Sequence, residues 1–207
     1  HLPHTLNASS LKAPAVQPKI ARQFVELIGR SNFSFLQGAS HPEEMVREAI
    51  TQGYNGIAIC DINGLYGVVR GYQALHSTSH FSAQIKAKED FKYLVGSEVT
   101  LTDETQIVLI PLNKLGYSHL CQILTRGKRQ SPKGFCKVRF EDLIALNEGL
   151  LCFALPPFDE KRFLQLEKVF TDRLYLPVWR DFTWESRAFC QQAFELEKNL
   201  GAQLFVT

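Results

Sequence analysis

From residue 24 onward, short apolar runs alternate with stretches in which apolar residues recur at helical spacing. Phe24, Val25 and Leu27 open a short strand, and a polar and aromatic turn follows it. Ser40 with Glu43 reads as a capping box that starts a helix over 42–52. Pro42 suits the first turn, Glu43 and Glu44 complement the helix dipole, and Gly53 stops the helix. A buried strand over 57–60 breaks at Asp61-Ile62-Asn63-Gly64 into a helix over 64–75, with Leu65, Val68, Val69, Tyr72 and Leu75 on one stripe. Residues 76–92 are polar and read as a loop. Strands over 93–101 and 106–112 form a hairpin around residues 102–105. A helix over 115–126 turns Leu115, Leu120, Ile123 and Leu124 inward. The units then repeat as helix 140–147, strand 150–155, helix 159–169, strand 173–178, helix 184–200 closed by Gly201, and strand 203–207. Roughly seven strands alternating with helices predict a barrel-like α/β fold.

Composition narrows the class. A length of 207 residues, 45% hydrophobic and 21% charged, suits one soluble globular domain with a sizeable core. A net charge of +2 makes no global case for nucleic-acid binding, so any such case is local. Residues 1–19 hold three prolines without periodicity and read as a flexible leader, with the domain over 20–207. His1 and His4 fall in that leader, and the absent initiator Met suggests processing or trimming. The five cysteines (Cys60, Cys121, Cys136, Cys152, Cys190) lack CxxC spacing, and those at 60, 121 and 152 read as small buried hydrophobes. A reduced, cytoplasmic protein is the expectation. No apolar run reaches the length of a membrane span, and nothing resembles a signal peptide.

Candidate chemistry is local. Polar residues gather where the first two strands end, the edge at which parallel α/β folds usually carry chemistry. Between 126 and 139 the chain holds Arg126, Lys128, Arg129, Lys133, Lys137 and Arg139 with no acid. Ser131-Pro132-Lys133-Gly134 makes this stretch a loop in the sequence reading. Arg126, Lys128, Arg129 and Lys133 are the candidate contacts to phosphates or an acidic partner, and a solvated arm is the other reading. His76 and His80 have chelating i, i+4 spacing, but no third ligand is near and they read as solvated. Trp179, Phe182 and Trp184 form an aromatic cluster that reads as core and rim packing rather than a docking surface. Glycine-rich phosphate loops, GxSxG elbows and HExxH motifs are absent.

The run SNFSFLQGASHPEEMVREAITQGYNGIAICDINGLYGVVRGY resembles the opening of the PHP domain of bacterial DNA polymerase III alpha subunits, and the error-prone, damage-associated paralogues most of all. The likeness continues through LVGSEVTL, NKLGYSHLCQILTRGKRQSPKG, EDLIALNEGLLCF and LEKVFTDRLYLPV, in the family's order. It implies a distorted (β/α)7 PHP-type barrel, cut short at its last unit. Active members resemble trinuclear metal phosphoesterases, whose clustered ions need several imidazole and carboxylate ligands from adjacent strand ends. The family's His-x-His falls here on Ile28 and Arg30, and its Asp-His on Asp61 and Ile62. Its Glu is kept as Glu98, its next His falls on Gln106, and a later Cys or His position aligns near Pro156. Its closing Asp-x-His would lie beyond Thr207.

Two vestigial carboxylates, Asp61 and Glu98, with Arg30 among them predict no bound metal, no other cofactor and no catalytic residue. Arg30 is expected to pair with Asp61 or Glu98 instead. The resemblance implies a non-catalytic scaffold domain in DNA synthesis and damage repair, whose parent would be a DNA-directed nucleotidyltransferase. Its partners would be the remainder of a polymerase or accessory proteins, with DNA at the basic stretch and no membrane. The alternatives are an active metal-dependent phosphoesterase and a stand-alone module that binds nucleic acid or protein.

Overall fold

The computed structural model describes residues 24–76, 91–179 and 181–206. The expected leader over 1–19, most of the polar stretch over 76–92, and His80 lie outside the described residues. The strands are β1 (Val25–Gly29), β2 (Gly56–Ile62), β3 (Lys92–Thr100), β4 (Gln106–Pro111), β5 (Leu150–Ala154), β6 (Leu174–Val178) and β7 (Gln203–Val206). The helices are α1 (Pro42–Thr51), α2 (Val68–His76), α3 (Lys114–Gln130), α4 (Phe140–Ala145), α5 (Glu160–Phe170) and α6 (Trp184–Leu200). All seven strands form one sheet in chain order. β1, β2 and β3 run parallel, β4 is antiparallel to both its neighbours, and β5, β6 and β7 run parallel again.

The alternation of side chains along the strands shows how the sheet curls. Ile57 and Ile59 of β2 point toward Val46, Ala49 and Ile50 of α1 and Ala74 of α2. Ile107 and Leu109 of β4, with Cys152 and Ala154 of β5, face Leu120 and Ile123 of α3 and Phe163, Leu166 and Phe170 of α5. Among the described residues the other face has no helix on it. Leu27, Ala58, Cys60, Leu94, Val108, Ile110, Phe153, Tyr175 and Phe205, drawn from all seven strands, pack on one another. A sheet face that fills itself with its own side chains must bend over itself, which is the interior of a half-barrel. Phe153 anchors that interior, with the rings of Tyr175 and Phe205 at 5.8 and 5.5 Å.

Several local expectations shift. The cap of α1 is one residue later than Ser40 and Glu43: the His41 N–H donates to Glu44 Oε2 at 2.9 Å. The pairs at 40/43 and 41/44 have the same spacing, and the His41 ring is engaged by Asn32 Nδ2 at 2.9 Å. α2 begins at Val68, after a turn over 64–67, and leaves Val69 and Tyr72 exposed. Leu115 is also exposed, because it lies on the first turn of α3 beyond the edge of the core. Cys60 and Cys152 are fully buried, but Cys121 is only half-buried and Cys136 is buried in its place.

The largest correction concerns the basic stretch. Arg126, Lys128 and Arg129 belong to the last turns of α3, which runs to Gln130. Only Pro132, which disfavours helical geometry in the residue before it, ends the helix. Lys133 follows in the turn around Gly134, whose φ is +92°. A second correction concerns the aromatic cluster: Phe182 is 96% exposed and Trp184 is 81% exposed, so neither is core.

Candidate functional site

Arg30, Asp61 and Glu98 meet where β1, β2 and β3 end. Asp61 is at the end of β2 and is 1% exposed. Its carboxylate Oδ1 accepts the Ser31 N–H at 2.9 Å and the Ser34 hydroxyl at 2.8 Å. The Ser31 hydroxyl lies 2.8 Å from Oδ1 and 2.9 Å from Oδ2. Ser34 Oγ in turn accepts the Ile62 N–H at 3.1 Å, which ties the loop after β1 to the end of β2. Gly67 lids this unit, since a Cβ there would lie 2.6 Å from Asp61 Oδ2 and 3.1 Å from Ser31 Oγ. Asp61 is therefore compensated by neutral donors, and among the described residues it forms no ion pair.

Glu98 is the opposite case. Its side chain is 1% exposed, and Oε2 receives Arg30 Nη2 at 2.6 Å and Arg30 Nε at 2.7 Å. Arg30 Nη1 reaches Gln37 Oε1 at 3.2 Å, so the guanidinium bridges the strand ends and the loop after β1. Of the two expected partners, Arg30 takes Glu98, because the serines already occupy Asp61. Burial pushes the Glu98 carboxyl above its ordinary range, and the nearby guanidinium only partly offsets it. Cys60, beneath the cluster, has its thiol pushed far up, first by burial and then by Asp61.

The basic residues divide. Arg126 and Arg139 share Asp142, at 2.9 and 3.4 Å. Lys137 pairs with Glu104. Among the described residues Lys128, Arg129 and Lys133 form no ion pair. At the other end of the sheet, Phe182, Trp184 and Phe194 project from α6 and the loop before it, lining an open cavity of about 780 Å³ with Arg187 and Cys190.

Residues 27–198 match the model of the PHP domain. The chain belongs to the PHP domain family. It is 61% identical over 196 residues to an error-prone DNA polymerase of Bdellovibrio bacteriovorus, covering 95% of this chain and 18% of that protein. An error-prone DNA polymerase of Rhodopirellula baltica is 38% identical over 145 residues, covering 70% of this chain and 12% of the relative. The chain thus spans less than a fifth of the length of these curated relatives. Among solved structures, a protein of Bifidobacterium adolescentis assigned as a metal-dependent phosphoesterase superposes with a TM-score of 0.59 at 15% identity, covering 89% of this chain and 86% of the other. An amidohydrolase of Chromobacterium violaceum gives a TM-score of 0.55 at 11% identity, covering 87% and 84%. These two show the fold alone, a mixed α/β fold with a curled seven-stranded half-barrel sheet.

Within this PHP domain the positions singled out from sequence fall in two places. Ile28, Arg30, Asp61, Ile62 and Glu98 cluster at the ends of β1 to β3. Ile28 packs into the strand-only interior and offers no donor. Gln106 and Pro156 open instead on a separate cavity of about 510 Å³ beside α5. Among the described residues no three His, Cys, Asp or Glu side chains gather closely enough to hold a metal ion. The residues missed from sequence are Ser31 and Ser34. Their signal was the SNFS run, in which both hydroxyls lie on one turn and face the same carboxylate. No helix among the described residues is long and apolar enough to cross a membrane.

Proposed function

We propose that this PHP domain is a non-catalytic scaffold of an error-prone DNA polymerase III alpha-type protein, acting in DNA synthesis past damage in the cytoplasm. One observation carries the reading: the Arg30 guanidinium sits 2.6 Å from Glu98 Oε2. A cation there repels a divalent ion, and both of its contacts to the carboxylate occupy Glu98 Oε2. Asp61 already accepts from Ser31 and Ser34, while Ile28 and Ile62 cannot ligate. These residues do not fit a cluster of divalent ions. Nucleotidyl transfer belongs to the polymerase regions that the longer relatives carry. The exposed aromatic edge of α6 is the surface on which those regions or an accessory protein dock, and the cations without ion pairs at the end of α3 meet DNA.

The test is elemental analysis of the purified chain for zinc and manganese, run beside hydrolysis of a phosphoester and of single-stranded DNA. Neither metal at stoichiometric level and no hydrolysis are expected. Stoichiometric metal together with hydrolysis abolished by Asp61→Ala overturns the reading.

A further inference from the structure

Beside the carboxylate cluster, the loop after β1 and the turn after α3 face each other across a groove of about 470 Å³. Phe33, Phe35, Tyr66 and Phe135 line it together with Lys128 and Lys133, and among the described residues its lining contains no carboxylate. The rings are not core: Phe35 is 83% exposed and Phe135 is 64% exposed. Phe33 and Tyr66 lie 6.4 Å apart as a tilted pair. Lys128 Nζ stands 4.7 Å from the Tyr66 ring centroid and 2.6 Å from its hydroxyl oxygen, so ring and cation are presented as one unit. Three cations of the basic stretch are neutralised by Asp142 and Glu104, yet among the described residues the two that line this groove form no ion pair.

We infer that this groove binds single-stranded nucleic acid, stacking an unpaired base on Phe35 and Phe135 and holding the flanking phosphates on Lys128 and Lys133. The chemistry separates this ligand from its competitors. Duplex DNA keeps its base faces stacked inside, so exposed rings give it nothing, whereas unpaired bases offer a face to each ring. A plain apolar partner would leave two lysines without counter-charges. The volume lies in the range of sites that take one small ligand, which suits a nucleotide or two rather than a long tract. The inference rests on the proposed reading that the cations at the end of α3 meet DNA, and adds which form of nucleic acid and which residues read it.

The experiment is an anisotropy titration of the 207-residue chain with a labelled oligothymidylate, a duplex of equal length and an abasic oligomer of equal length. The variants are Phe35→Ala with Phe135→Ala, and Lys128→Ala with Lys133→Ala, all at exposed positions, with thermal melts as a check on folding. The chain should prefer the oligothymidylate to both other probes. Removing the rings should weaken that binding about fivefold or more for each ring and leave the duplex and abasic oligomer unaffected. Removing the lysines should weaken all three probes and flatten the salt dependence by about 0.7 for each phosphate no longer engaged. Oligothymidylate binding unchanged by the ring variant, but abolished in the lysine variant, overturns the groove and keeps the broader cationic contact. Absence of binding to any probe at low salt overturns both.

Discussion

The carboxylate cluster at the ends of β1 to β3 and the aromatic edge of α6 treat their side chains in opposite ways. In the first, groups that water would readily solvate are withdrawn from it. Asp61 and Glu98 are each 1% exposed, and their partners come from the same domain: two serines, a backbone N–H and a guanidinium. In the second, groups that water disfavours are left facing it. Phe182 even sits at a φ of 64°, a backbone region that costs a bulky residue on the order of 1 kcal/mol. Asp181 holds it there by accepting the Thr183 N–H at 3.0 Å and its hydroxyl at 2.7 Å. Groups whose partners lie inside the domain hold the fold, and the exposed aromatic edge is the surface proposed above for docking.

The strongest way to break this comparison is to open the inner cluster. Asp61→Ala leaves the Ser31 and Ser34 hydroxyls and the Ser31 N–H buried without an acceptor. A loss of about 3–5 kcal/mol is expected, read as a fall in Tm or in the urea midpoint. Gly67→Ala should act through the same unit, because the new methyl meets Asp61 Oδ2. An Asp61→Ala protein that melts like the parent would show that the serine cage is not structural.

Arg30→Ala comes next, at about 3 kcal/mol near neutral pH. That is the low end for breaking a buried pair, because the Arg30 side chain is 31% exposed. The pH dependence sharpens it. With the Glu98 pKa raised above its unfolded value, the folded state holds the proton more tightly, so this group's contribution is fully present below the unfolded pKa. It is lost as pH rises through the raised folded value. Removing Arg30 leaves burial unopposed, so the variant's stability should fall more steeply with rising pH than the parent's. A deficit that stays constant with pH would assign the cost to packing instead.

Most of the fold was legible because burial on both faces writes itself as apolar runs, as in the GIAICDI of β2. The hairpin of β3 and β4 was equally plain, bounded by Thr102-Asp103-Glu104-Thr105. The substitutions at Ile28, Arg30 and Ile62 were legible because they change residue type outright. The choice of Glu98 over Asp61 was not, since it depends on serines that reach Asp61 only once β1 and β2 are paired. The basic stretch misleads for a different reason. Arg126, Lys128 and Arg129 are good helix formers, and Gly127 between them serves close packing, since a Cβ there would lie 2.8 Å from Cys136 Sγ and Val138 Cγ2. Trp184 and Phe182 mislead because their apolar type does not say which face they occupy. The inward face of α6 is taken by Ala193 and Leu196.

A small pH effect is expected at the edge of α6. The hydrogen bonds from Ser186 and Thr183 hold the Asp181 carboxyl down at about 2. Its contribution is present above the unfolded pKa and is lost as pH falls through that lowered value. Asp181→Asn should therefore loosen the loop mildly near neutral pH and remove its response to acid, checked by hydrogen exchange at Thr183.

The smallest stability effect, and the most informative, is expected from Phe182→Gly combined with Trp184→Ser. Both side chains are in solvent, so each change should shift stability by no more than about 0.5 kcal/mol. Glycine also relieves the left-handed backbone at 182, which favours the variant slightly. If this edge docks the polymerase regions carried by the longer relatives, the same pair of changes should disrupt a full-length protein. Exposed aromatic anchors of that kind contribute about 2 kcal/mol or more each once they are covered. The readout is limited proteolysis of the full-length protein between this domain and the rest, which should quicken in the double variant while the isolated chain melts as before. Equal cleavage rates would place docking elsewhere and leave Phe182 and Trp184 as ordinary surface residues. A fall in the isolated chain's Tm of more than a few degrees would return them to the core, where their apolar type alone would put them.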